Sequence, residues 1–240
     1  MNSQTERLTL VGAAGTIEAL RDSPVAPSSS SGIDDADDSA QGAGHGEPVV
    51  RTAAAHRGVA VIAHPHPLFG GTMDNKVVQT LARAFVQCGF TAVRFNFRGV
   101  GTSAGVYDEG RGELQDLLAI VEQVAPASAG QRIALAGFSF GAFVTSHALA
   151  QLWTEGRVDQ AVLVGTAASR FAVAPVPPEA HQRTLVVHGE QDDTVPLSAV
   201  MDWARPQILP VTVIPAGGHF FHGQLPLLKN LVVRHLQSGG

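Results

Sequence analysis

The chain has a single cysteine, Cys88, so no intramolecular disulfide can form. Charge is also scarce. Only 15% of the 240 residues are charged, the formal net charge is −5, and no basic excess exists to make an electropositive face for nucleic acid or anionic lipid. Asp34, Asp35, Asp37, Asp38 and Glu47 carry the whole acidic excess, and outside residues 24–48 the charges balance. No apolar run approaches the ~18 residues of a membrane span. Residues 1–7 are polar and lack the apolar stretch of a secretory signal, so the expected location is cytoplasmic. A Gly-x-x-x-x-Gly-Lys-Ser/Thr motif is missing, which excludes a P-loop nucleotide site.

What is present is apolar material and turn formers. Hydrophobic residues make up 45% of the chain, enough for one large core, and 26 glycines with 14 prolines suit a fold rich in tight turns. Residues 1–240 are therefore expected to form a single domain. Residues 6–12 and 15–21 alternate as two short strands of a hairpin. The composition then shifts to Ser, Gly, Ala, Pro and Asp, and residues from about 23 to 50 read as a disordered insertion, too poor in apolar groups to offset the entropy of ordering.

From Gly58 onward, strands and helices alternate. Residues 58–63 form a continuous apolar run, the pattern of a strand buried on both faces. Further strands are predicted over residues 90–96, 132–136, 161–164, 184–188 and 211–214. Helices are predicted over residues 74–89, 113–125, 141–153, 197–204 and 225–237. In the first helix Asp74 is placed to cap the opening turn and Gly89 to end the last. In the second, Leu114, Leu117, Leu118, Val121 and Val124 point inward. The fold class that follows is α/β, with a mostly parallel central sheet and helices on both faces.

One short motif carries chemistry. Gly137-Phe138-Ser139-Phe140-Gly141 lies between an apolar strand and a helix, the setting in which a serine sits on a sharp bend with Oγ exposed. Side chains two before and two after that serine would collide, which accounts for glycine at both places. The helix start directs N–H groups toward a developing oxyanion, the first useful donor being that of Phe140. Such a serine needs a histidine base and a carboxylate to orient it, met along the chain in the order Ser, acid, His. Of the ten histidines, His219 in Ala216-Gly217-Gly218-His219 occupies a loop after a strand, with His222 as the alternative. The acid comes from the loop Gly189-Glu190-Gln191-Asp192-Asp193, where Asp192 and Asp193 compete.

These residues resemble the α/β-hydrolase superfamily over nearly the whole chain apart from the insertion. His188-Gly189-x-x-Asp192-x-x-Val195-Pro196 is similar to the superfamily's acid loop, whose first Asp is the triad acid, and this implies Asp192. Gly217-Gly218-His219-Phe220-Phe221 resembles its histidine loop. The run from His64 to Lys76, with that from Arg94 to Gly101, is similar to small bacterial hydrolases of the dienelactone-hydrolase-like and carboxylesterase-like kind. The resemblance implies an α/β-hydrolase fold and a second oxyanion donor in the loop after residues 59–63. Pro65 and Pro67 have no N–H, which leaves His66, favoured by its place in that loop, and Leu68.

Competing patterns are weaker. His64-x-His66 and His219-x-x-His222 suggest a metal, but no third ligand is held nearby. Gly99-Val100-Gly101 has no helix opening immediately after it and no strand-end acid ~20 residues on, against a dinucleotide site. No cofactor and no metal are expected. Arg94 and Arg98 read as structural, with substrate carboxylate binding as the alternative. Residues 169–182 are too short for a large lid. Aromatics are only 6% of the chain, so Phe69, Phe138, Phe140, Phe220 and Phe221 in the site loops suggest an apolar substrate.

The function these observations imply is hydrolysis of a small or medium carboxylic ester or thioester by a Ser139–His219–Asp192 triad. A peptidase or acyltransferase, or a binding protein that kept the fold without the chemistry, is the alternative. The partner expected is a small-molecule ester or thioester, with neither nucleic acid nor membrane, and no oligomer is implied. Deletion of residues 25–47 is expected to leave the thermal unfolding midpoint and turnover intact, and lost turnover would give the insertion an active role.

Overall fold

In this computed structural model, residues 3–24 and 56–238 are described. The strands are β1 (Ser3–Gly12), β2 (Gly15–Pro24), β3 (Gly58–Ala63), β4 (Phe90–Phe95), β5 (Ile133–Phe138), β6 (Val158–Val164), β7 (Thr184–Gly189) and β8 (Thr212–Ile214). The helices are α1 (Lys76–Gln87), α2 (Arg111–Val124), α3 (Phe140–Thr154), α4 (Leu197–Ala204) and α5 (Leu225–Ser238). All eight strands join one sheet in the order β1-β2-β4-β3-β5-β6-β7-β8. The β1–β2 and β2–β4 pairings are antiparallel, and every pairing from β4 to β8 is parallel.

The apolar run of β3 is buried along its whole length because it lies between β4 and β5 with helices on both faces. Its alternation divides the core. Val59, Val61 and Ala63 pack in the layer containing Leu117 of α2, Leu149 of α3 and Val200 of α4. Ala60 and Ile62 pack in the layer containing Phe85 of α1 and Val232 of α5. Strand order reverses around β3, so the carboxyl ends of β3 and β5 border the crevice where ligands bind in open α/β sheets. No helix among the described residues is long and apolar enough to cross a membrane.

Several boundaries differ from the sequence reading for local reasons. Ser23 and Pro24 continue β2, opposite Gln4 and Ser3, because the hairpin's pairing carries past the change in composition. Of the predicted insertion over residues 23–50, the rest lies outside the described residues. Helix α1 is capped by Asn75, whose Oδ1 accepts the Val77 N–H at 2.9 Å, while Asp74 turns to Arg94 at 3.2 Å. Helix α2 starts at Arg111, ahead of the apolar stripe, because the buried Glu113 carboxylate accepts the N–H groups of Asp108 and Gly110, each at 2.9 Å. Periodicity cannot foresee an inward-facing acid.

The two arginines left open by the sequence are both structural. Arg98 makes a forked pair with Asp116, Nε to Oδ2 at 2.8 Å and Nη2 to Oδ1 at 2.9 Å, and both side chains are buried. Arg94 binds Asp22 at 2.8 Å and the Met73 carbonyl at 2.9 Å, joining β4 to β2 and to the loop before α1.

Burial holds His64, at about 4, and His188 and His235, in the same direction, below the ordinary imidazole range. Each stays neutral in the fold at a pH where the unfolded chain binds a proton. Their stabilisation is therefore present above the unfolded pKa of about 6.5 and lost as pH falls toward the folded value. Urea unfolding is expected to show stability falling as pH drops below 6.5, by up to about 1.4 kcal/mol per pH unit for each histidine, with the His64 part continuing to about 4. A flat profile across that window would contradict the burial of these rings.

Candidate active site

The bend at the end of β5 is forced by backbone contact. A Cβ on Gly137 would stand 2.4 Å from the Gly141 carbonyl oxygen, and one on Gly141 would stand 2.4 Å from the Ala63 oxygen and 2.5 Å from that of His64. Between them Ser139 takes φ 57°, ψ −115°, a conformation that L-residues avoid. Its N–H is anchored to the Val164 carbonyl of β6 at 2.8 Å. The helix behind it starts at Phe140, one residue before the predicted start.

His219, on the loop after β8, brings Nε2 to 3.0 Å from Ser139 Oγ and Nδ1 to 2.7 Å from Asp192 Oδ2. An ionised carboxylate only accepts, so the proton of a neutral ring is on Nδ1 and Nε2 is free to accept from the serine. Asp192 Oδ1 accepts the N–H groups of Thr194 at 3.0 Å and Val195 at 2.7 Å, which fixes the carboxylate in the loop after β7. Burial pushes the Asp192 carboxyl up, but the His219 hydrogen bond, the Val195 N–H and the two neighbouring imidazoles outweigh it and hold it low. His188 is also at the acid, with Nε2 at 2.8 Å from the Val195 carbonyl and 3.4 Å from Asp192 Oδ2. The acid-loop pattern begins at His188, but nothing in the sequence gave its side chain a role beside the acid.

The alternatives stand apart. Asp193 is exposed and binds only the Thr194 hydroxyl at 3.3 Å, and His222 is exposed beyond Phe220. Glu190 accepts the Ala216 N–H at 2.8 Å, bracing the β7 and β8 loops together.

Two histidines shape the loop after β3. His64 is buried, with Nδ1–H donating to the Pro65 carbonyl at 2.6 Å and Nε2 accepting the Phe97 N–H at 2.9 Å. Both nitrogens are engaged, which takes His64 out of the metal pairing considered for His64-x-His66. His66 accepts the Leu68 N–H on Nδ1 at 3.2 Å. The Leu68 N–H is therefore occupied, whereas those of His66 and Phe140 meet no acceptor among the described residues.

These loops enclose a pocket of about 240 Å³ beside Ser139, lined by Phe69, Phe140, Phe171, Phe220, Val195 and the His66 ring among others. The phenylalanine cluster expected from the sequence is split. Phe69, Phe140 and Phe220 line the pocket, while Phe138 and Phe221 are buried in the α1/α5 layer, Phe138 with its ring 4.9 Å from that of His219. Phe171 and Arg170, from the β6–β7 connection, were missed, since that stretch offered only its length as a signal. The connection adds just one 3₁₀ turn, Pro178–Arg183, so among the described residues it supplies no lid over the pocket.

The family described as serine aminopeptidase, S33, matches residues 54–182, just over half of the chain. The chain belongs to the α/β serine hydrolase superfamily. An α/β serine hydrolase without lid from Xanthomonas campestris is 32% identical, with 99% of this chain and 96% of that one covered and a TM-score of 0.79. A serine hydrolase homologue from Coxiella burnetii is 34% identical over 96% of this chain and 97% of its own, with a TM-score of 0.72. The uncharacterized protein RP471 of Rickettsia prowazekii is 42% identical over 87 residues, which is 36% of this chain and 37% of that protein. The match thus spans little more than a third of that relative's length. As an α/β serine hydrolase, the chain is a hydrolase by class, and its open pocket agrees with the lidless Xanthomonas relative.

The tightness of the bend gives a measurable expectation. Gly137→Ala should destabilise the hydrolase by at least about 2 kcal/mol in chemical denaturation, since the obstacle is backbone. Gly218→Ala, whose Cβ meets nothing within 4 Å, should change stability by less than about 0.5 kcal/mol. Equal effects would show that the bend is not sterically limited.

Proposed function

We propose that this hydrolase cleaves small or medium carboxylic esters through an acyl-enzyme formed on Ser139. The observation that carries the reading is the unbroken series from Ser139 Oγ to His219 Nε2 at 3.0 Å and from His219 Nδ1 to Asp192 Oδ2 at 2.7 Å. In this mechanism Ser139 Oγ attacks the carbonyl carbon as His219 Nε2 takes its proton, and Asp192 stabilises the imidazolium and holds its orientation. The oxyanion is held by the N–H groups of Phe140, at the start of α3, and of His66. His219 then protonates the leaving oxygen, and a water activated by the same imidazole releases the acid.

A pocket of about 240 Å³ is just below the roughly 300–1,000 Å³ of drug-sized sites, which favours small and medium substrates. A thioester would be handled by the same groups, with sulfur leaving in place of oxygen. An aminopeptidase reading is favoured by the family description but opposed by the pocket. A substrate ammonium calls for a carboxylate, and no Asp or Glu is among the described lining residues. The partner proposed is a small-molecule ester, in the cytoplasm.

Ser139→Ala is expected to lower turnover of p-nitrophenyl esters by roughly 10⁴-fold or more and to abolish labelling by a fluorophosphonate. Wild-type rates in that variant, or labelling at another serine, would remove Ser139 from the mechanism.

A further inference from the structure

Among the described residues, Arg170 is the only Arg, Lys, Asp or Glu that lines the pocket beside Ser139. Arg98, Arg111, Arg157, Arg183 and Arg205 each pair with an acid, but Arg170 has no acidic partner among the described residues. Its backbone is fixed, because the N–H groups of Arg170 and Phe171 both donate to the Ala167 carbonyl at 3.1 Å. The next ring, Phe171, stacks on Phe143 at 4.7 Å and meets Phe140 edge-on at 5.2 Å. Arg170 is exposed to solvent and borders a site whose other described walls include Phe69, Phe140, Phe171 and Phe220.

A second donor lies on the same pocket. His66 accepts the Leu68 N–H on Nδ1, so the proton of its neutral ring is on Nε2. Burial and then the nearby Arg170 charge both hold the His66 imidazole below its ordinary range, so the ring feels this cation. A cation without an internal counter-ion, beside a donor and apolar walls, gains most from a ligand with an apolar span and an anionic end. The planar guanidinium fork matches a carboxylate.

We infer that the hydrolase acts on esters bearing a carboxylate remote from the scissile bond, with Arg170 as the specificity-determining cation. This rests on the ester reading above. It names a class of substrate, the half-esters of dicarboxylic acids and related anionic esters, and the product that follows from a half-ester is a dicarboxylate.

The test compares p-nitrophenyl hydrogen glutarate with p-nitrophenyl pentanoate, acyl groups of equal carbon count, as a ratio of kcat/KM. Wild type is expected to favour the anionic ester, and less so in about 0.5 M salt, where an exposed cation is screened. Arg170→Gln should lower the ratio about tenfold or more, chiefly through KM, Arg170→Lys should keep part of it, and Arg170→Glu should reverse it. A parallel pair, 4-acetoxybenzoate and phenyl acetate, tells whether the carboxylate belongs to the alcohol side instead. A ratio unmoved by both Arg170→Gln and Arg170→Glu in both pairs overturns the inference. If no ester is turned over, the ester reading fails, and glutarate titrated into wild type decides the anion site separately. A saturable upward shift of the His66 imidazole pKa, seen by NMR and lost in Arg170→Gln, supports the site, and its absence in wild type overturns it.

Discussion

Between Gly137 and Gly141 the chain folds back so closely that a Cβ on the first would stand 2.4 Å from the carbonyl oxygen of the second. Gly141 is pressed in turn against the last carbonyl of β3 and the first of the following loop. These approaches leave Ser139 with φ 57° and ψ −115°, a strain of order 1–3 kcal/mol that β5, β6 and α3 hold in place. The strain has a geometric effect. It lifts the serine hydroxyl out of the sheet edge and leaves the Phe140 N–H without a backbone acceptor, beside a loop whose His66 N–H is likewise free.

Around that bend the polar groups are held as firmly as the apolar ones. His64 is fixed by hydrogen bonds at both nitrogens and ties the β3 loop to the chain after β4. Asp192 receives two N–H groups before it meets His219, so its position does not depend on the base. Arg98 and Asp116 are buried together, an arrangement whose desolvation is tolerated only with the forked geometry seen here. Gly112 makes room for it, since a Cβ there would stand 1.7 Å from Arg98 Nη1. The electrostatic layout is accordingly simple. The carboxylate is behind the imidazole, and among the described residues Arg170 is the one arginine or lysine that lines the pocket.

How much of this was legible in the sequence differs by element. The β3 run, α4 and the hairpin were readable because apolar period and turn residues act locally. The serine, its flanking glycines and the order of acid and histidine were readable for the same reason, each being fixed by the short segment that contains it. Helix starts were less so. Asn75 displaced Asp74 as a cap because Arg94, distant in sequence, draws Asp74 away, and Glu113 entered the core because it serves two N–H groups of its own loop.

Sequence by itself determined the α/β class, the strand-bend-helix around Ser139, and the loops that could offer an acid and a base. The acid-loop pattern already implied Asp192 over Asp193, whereas tertiary structure alone decided that Leu68 has spent its N–H on the His66 ring, and that Phe138 and Phe221 are core rather than pocket. It also decided that Phe171 and the unpaired Arg170 stand beside the serine. The reason is physical. Conformation at a bend is governed by residues within a few positions of it, whereas hydrogen-bond distance between loops on different strand ends depends on sheet order and register, which no short stretch of chain encodes.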